Sequence, residues 1–139
     1  MKRKLAVFAS GNGSNFEALA QACADGRIDA GIVLLVCDKP GAYVCERAAR
    51  FGIDTFACSP KAFASKQEFE AHVVGLLRER EVDLICLAGY MRILSEVVLD
   101  AYDGRIINIH PSLLPAFKGA HAIRDALDYG VKVYGVTVH

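Results

Sequence analysis

Net charge is the first thing this sequence lacks. Lys plus Arg and Asp plus Glu both number 16 across the 139 residues, so no basic surplus points to a nucleic-acid partner. The make-up is 53% hydrophobic and 23% charged, with four prolines and twelve glycines, which excludes a disordered or fibrous chain. The five cysteines, Cys23, Cys37, Cys45, Cys58 and Cys86, are odd in number and form no C-x-x-C pair. They read as reduced thiols of a cytosolic core, with no disulfide framework and no metal site expected. No run approaches the ~20 apolar residues of a membrane-spanning helix. The apolar stretch after "MKRK" stops at Ala9, too soon for a signal peptide. A cytoplasmic protein, without membrane or nucleic-acid partners, is expected.

Two nucleotide motifs are also missing. "SGNGSNF" has Phe16 where the third glycine of G-x-G-x-x-G would stand, and that glycine serves close helix–strand packing. Asp38 lies where a ribose-binding acid would fall, which keeps a nicotinamide enzyme only as a minor alternative. No Gly-Lys-Ser/Thr follows the loop, so it is not a nucleoside-triphosphate loop.

What is present is an alternation. Strands are expected at Leu5–Ala9, Ile32–Cys37, Asp54–Ala57, Asp83–Ala88, Arg105–His110 and Val131–Val138. Between them run helix-like segments: Ser14 to about Cys23, Tyr43–Phe51, a helix opened by the capping box Ser65-Lys66-Gln67-Glu68, Ser95–Tyr102 and Ala120–Tyr129. Near-continuous apolar strands between amphipathic helices imply a three-layer α/β/α fold with a mainly parallel, Rossmann-like sheet. No repeat or linker breaks the pattern, so residues 1–139 are expected to form a single domain. "VYGVTVH" stops in a strand pattern, which reads as a domain lacking its C-terminal part.

Ligands of such sheets sit beyond the carboxyl ends of the strands, where three polar stretches fall. "SGNGSN" offers Gly11 and Gly13 for a tight turn and a helix N-terminus that suits a phosphate. The plainer expectation is that Ser14 caps that helix, with Glu17 completing a capping box. "AGYMRIL" places Met91, Ile93 and Leu94 where a flat apolar ring could lie. "RIINIHPSLLP" puts Asn108 and His110 two apart, so in a strand they share a face. Pro111 ends the strand and keeps His110 extended. An amide that can stabilise an oxyanion beside an imidazole that moves protons near neutral pH suits acyl-type transfer. No Ser or Cys nucleophile is needed if the substrate supplies one. His72 and His121 are weaker candidates.

Taken in order along the whole chain, "FASGNGSN", "LAGYMRIL" and "NIHPSLLPAFKG" resemble the phosphoribosylglycinamide formyltransferase family, the folate-dependent enzymes of purine synthesis. The resemblance implies the formyltransferase fold and transfer of a formyl group from 10-formyltetrahydrofolate to the amine of glycinamide ribonucleotide. It implies catalytic roles for Asn108 and His110, and substrate-phosphate binding by Gly13, Ser14 and Asn15. The folate pocket would be formed by Lys66, Met91, Arg92, Ile93, Leu94 and Asn108, and no metal is implied. Lys66 stands where the family often has Arg, which keeps the charge and loses the planar fork. The family's catalytic Asp and closing helix lie past the last strand seen here. Partners would be the two small molecules, with a monomer or homodimer. Alternatives are a formyl-folate hydrolase, a methionyl-tRNA formyltransferase, or a non-catalytic phosphosugar- or folate-binding module.

Overall fold

The computed structural model describes residues 2–110 and 137–138, which fall into two compact units, 1–106 and 107–139. The first unit is built on four strands: β1 (Arg3–Ala9), β2 (Ala30–Cys37), β3 (Thr55–Ala57) and β4 (Leu84–Leu87). Their order is β3-β2-β1-β4, and every pair among them is parallel. The helices are α1 (Ser14–Ala24), α2 (Tyr43–Arg50), α3 (Lys66–Glu79) and α4 (Glu96–Ala101).

The continuous apolar runs are explained by burial on both faces of the sheet. Along β1 and β2 the side chains alternate between two cores. Ala6, Phe8, Leu34 and Val36 join Phe69, Val73 and Leu77 of α3 and Val98 of α4. Val7, Ala9, Leu35 and Cys37 join Phe16 and Ala20 of α1 and Val44 and Ala48 of α2. Helices on both faces make this unit the expected three-layer arrangement. On α3, Phe69, Val73 and Leu77, at the i, i+4, i+8 spacing of one helix face, are fully buried and Leu76 packs half-buried beside them. Ser65 caps α3 as expected, its Oγ accepting from the Glu68 N–H at 3.1 Å.

β5 (Ile106–His110) begins at the last residue of the first unit. In the second unit it pairs antiparallel with β6 (Thr137–Val138), Ile109 opposite Val138 and His110 opposite Thr137. Ile106, Ile107 and Ile109 in β5 have the apolar character of a buried strand, yet Ile107 is 36% exposed. An apolar run states preference, not which faces are covered. The helix expected at Ala120–Tyr129 lies outside the described residues, as do His121 and His139. Among the described residues, no helix is long and apolar enough to cross a membrane, and all five cysteines are free thiols.

Candidate functional site at the carboxyl edge of the parallel sheet

β1 ends at Ala9, and residues 10–13 turn the chain into α1. Gly13 is the N-cap residue, in the left-handed region at φ +82°. A Cβ there would stand 2.6 Å from Val44 Cβ and 3.0 Å from Val44 Cα. Glycine is therefore required both by backbone angle and by the close approach of α2. Ser14, expected as a cap, is instead the first helical residue, and no side chain caps α1. Glu17 does not complete a capping box either, because Arg47 draws it away, Nη1 donating to Oε2 at 2.7 Å. The first-turn N–H groups of α1 thus have no side-chain cap, which suits an anion. Ser14 and Asn15 are exposed at this end.

β4 leads to a second turn through Gly89, at φ +76°. Ser10, which is buried, ties the two turns together. Its N–H donates to the Gly89 carbonyl at 3.1 Å, and its Oγ accepts from the Met91 N–H at 2.9 Å. The side chains that follow are unusually open for apolar groups: Met91 is exposed and Ile93 is 83% exposed. Leu94 turns back and packs half-buried on the core under α3 and α4. Lys66, the first residue of α3, is exposed. Apolar surface left open beside polar turns is what a flat, partly apolar ligand would cover.

Beneath this second turn lie two buried carboxylates. Asp38, one residue past β2, is 2% exposed, and its Oδ2 accepts from Arg92 Nε at 2.9 Å. Asp38 Oδ1 has no hydrogen-bond partner among the described residues. Glu70 of α3, also buried, accepts from the Ser95 N–H with both oxygens at 3.1 Å and from Ser95 Oγ at 2.6 Å. Ser95 is the N-cap of α4, so Glu70 fixes the far end of the segment that starts at Gly89. Tyr90 stands edge-on to Phe8, with ring centroids 5.3 Å apart. Burial, then the charges of Asp38 and Glu70, push its phenol far above the ordinary range, so it stays protonated.

These contacts count against the dinucleotide alternative. Asp38 is turned to Arg92 rather than offered to a ribose. Phe16 is wholly buried in the core between α1 and the sheet, filling the space that a third glycine would leave.

Within the first unit Ser10 therefore joins the turn that leads to Gly13 to the turn that carries Met91, and Asp38 holds Arg92. Asn108 and His110 belong to the second unit, two apart in β5, with Asn108 half-buried. His72 is exposed and stacks near Phe56 and Phe63, at 5.1 and 5.6 Å between centroids, which makes it a surface residue of α3. Ser10, Arg47 and Glu70 were not singled out by sequence. Only Arg47 left a trace there, as a basic residue four positions after Tyr43 on a short helix. Among the described residues no group of three or more His, Cys, Asp or Glu could hold a metal ion.

A parallel sheet covered on both faces, with a glycine turn and an open apolar turn tied together at its carboxyl edge, defines an α/β protein of the kind that binds a small molecule there. The chain belongs to the formyl transferase family, which it matches over residues 3–139. It is 56% identical over 137 residues to the phosphoribosylglycinamide formyltransferase of Bacillus subtilis, covering 99% of this chain and 70% of that protein. The crystal structure of glycinamide ribonucleotide transformylase 1 from Geobacillus kaustophilus superposes with a TM-score of 0.98 at 52% identity, over 100% of this chain and 74% of that one. That of phosphoribosylglycinamide formyltransferase from Bacillus halodurans gives 0.95 at 49% identity, over 99% and 71%.

Proposed function

We propose that this chain transfers the formyl group of 10-formyltetrahydrofolate to the amine of 5'-phosphoribosylglycinamide, in purine biosynthesis. The observation that carries the reading is the 56% identity to the Bacillus subtilis enzyme across 99% of the chain. Other features of the chain support it. The α1 N-terminus without a side-chain cap, with Gly13, Ser14 and Asn15, suits the substrate phosphate. Exposed Met91 and Ile93, with Arg92 and Leu94, suit a flat ring system, and exposed Lys66 suits a carboxylate of the folate tail.

In the chemistry that follows, the amine lone pair attacks the formyl carbon and the carbonyl electron pair moves onto oxygen. Asn108 donates its amide N–H to that oxyanion, and His110, protonated, stabilises the same charge. Collapse re-forms the carbonyl and breaks the bond to the folate nitrogen, which takes up the proton that the amine has lost. Asn108 also contributes to the folate side of the pocket. The two small molecules are the partners, the protein works in the cytoplasm, and it acts as a monomer or homodimer.

The test is to follow folate product formation from 10-formyltetrahydrofolate with and without 5'-phosphoribosylglycinamide. Product that depends on the amine supports the reading. Product formed equally without it indicates a hydrolase, and no product in either case overturns the proposal.

A further inference from the structure

We propose that Arg47 is a positioning residue for the phosphate-binding turn, acting on the ligand through residues 10–13 and the first turn of α1 rather than by touching it. The inference rests on the reading above that this turn holds the substrate phosphate.

Arg47 sits on α2, yet most of its hydrogen bonds go to the turn. Its Nε donates to the Asn12 carbonyl at 2.8 Å, and its Nη2 donates to Asn12 Oδ1. The remaining arm, Nη1, donates to Glu17 Oε2 at 2.7 Å. Both the backbone and the side chain of Asn12 are thus held by one planar group, while the same group holds the first turn of α1. The Arg47 side chain is only 15% exposed, and its guanidinium lies 4.7 Å from the centre of the Tyr43 ring. Tyr43 is held in turn by Arg50, whose Nη2 donates to the phenol oxygen at 3.0 Å. The guanidinium is therefore fixed in its plane before any ligand arrives.

The neighbouring residue completes the grip. The Val44 N–H donates to the Gly11 carbonyl at 3.0 Å, and the Val44 side chain packs against the bare Cα of Gly13. Gly11, Asn12 and Gly13 are consequently each held by α2. A turn with two glycines would otherwise sample many conformations, and an anion binding to it would have to order them at its own expense. Holding the turn in advance removes that cost from binding. The charge itself is spent on Glu17 and Asn12, so Arg47 is placed to shape the turn rather than to meet the phosphate. Lysine could keep the charge but not three bonds in one plane.

The experiment measures binding rather than turnover. The wild-type chain, Arg47→Met and Arg47→Lys are titrated calorimetrically with 5'-phosphoribosylglycinamide and with the same compound lacking its phosphate. Removing the phosphate weakens binding to the wild type at least about tenfold. Arg47→Met weakens binding of the phosphorylated compound about tenfold and leaves the dephosphorylated one within about twofold, a coupling in the usual range for residues that act at a distance. Arg47→Lys behaves like Arg47→Met, because the fork is lost. If both compounds weaken equally, or neither does, Arg47 is merely structural and the proposal is overturned. If the wild type binds both compounds alike, the turn does not hold the phosphate, and that reading falls together with this one. Should Arg47→Met fail to fold, Arg47→Lys carries the same comparison.

Discussion

Replacing Arg92 by alanine would leave Asp38 as a buried carboxylate without its counter-charge. In the intact protein Asp38 is 2% exposed, its Oδ2 is held by Arg92 Nε at 2.9 Å, and Oδ1 has no partner among the described residues. Removing one member of a fully buried ion pair costs about 3–5 kcal/mol. Arg92 is 39% exposed, so water already screens the pair and can reach part of the space left by truncation, which lowers the expected loss to about 2–3 kcal/mol. For a domain of this size that corresponds to a fall in melting temperature of about 6–12 °C. The double change Asp38→Asn with Arg92→Ala removes the charge as well as its partner. It should lose less than the sum of the two single changes, by about 1–2 kcal/mol. Urea unfolding of the four proteins measures all of these terms. A single Arg92→Ala within about 0.5 kcal/mol of wild type, or additive single changes, would refute the idea that the pair anchors the turn carrying Met91 to Leu94.

Three other outcomes follow from local geometry. Gly13→Ala places a Cβ in a left-handed turn and against Val44, and should lower stability by at least about 1–2 kcal/mol in urea unfolding while weakening binding of the phosphorylated substrate. Glu70→Ala strips both the N–H and the hydroxyl of Ser95 of their acceptor in a buried site; a loss of about 2–4 kcal/mol is expected, and a loss under about 0.5 kcal/mol would show that water replaces the carboxylate. Burial pushes the Cys37 thiol up to about 11 from 9.0, so the unfolded chain ionises first as pH rises. The stability from keeping Cys37 neutral is therefore complete below about pH 9 and lost towards pH 11. The urea midpoint should fall across that window and fall less in Cys37→Ala; identical slopes would contradict this.

The layered fold was legible because the apolar runs of β1 and β2 are too continuous for a sheet with a wet face, and the stripe Phe69, Val73, Leu77 could only be a helix facing a core. The turn at Gly13 was legible as well, but not its cap. Ser14 followed by Glu17 satisfies the capping-box spacing, and local sequence cannot show that Arg47, thirty residues further on, competes for Glu17. Asp38 misled for a similar reason. An acid at the end of the second strand fits a ribose acceptor until Arg92, 54 residues away, occupies it. Long-range charge pairing of this kind leaves no periodicity and no spacing to read. Asn108 and His110 stood out because a polar pair two apart in an apolar run needs a reason, and Pro111 marked where the strand had to end.

Formyl transfer through Asn108 is the centre of the account. The measurement that tests it most directly is the rate of formyl transfer from 10-formyltetrahydrofolate to 5'-phosphoribosylglycinamide by the chain and by Asn108→Ala, with folding of both checked by circular dichroism. Loss of one oxyanion donor should lower the rate by about 10²–10³. A fall of less than about tenfold, in a variant that folds like the parent, would contradict the assignment of Asn108 to the developing negative charge.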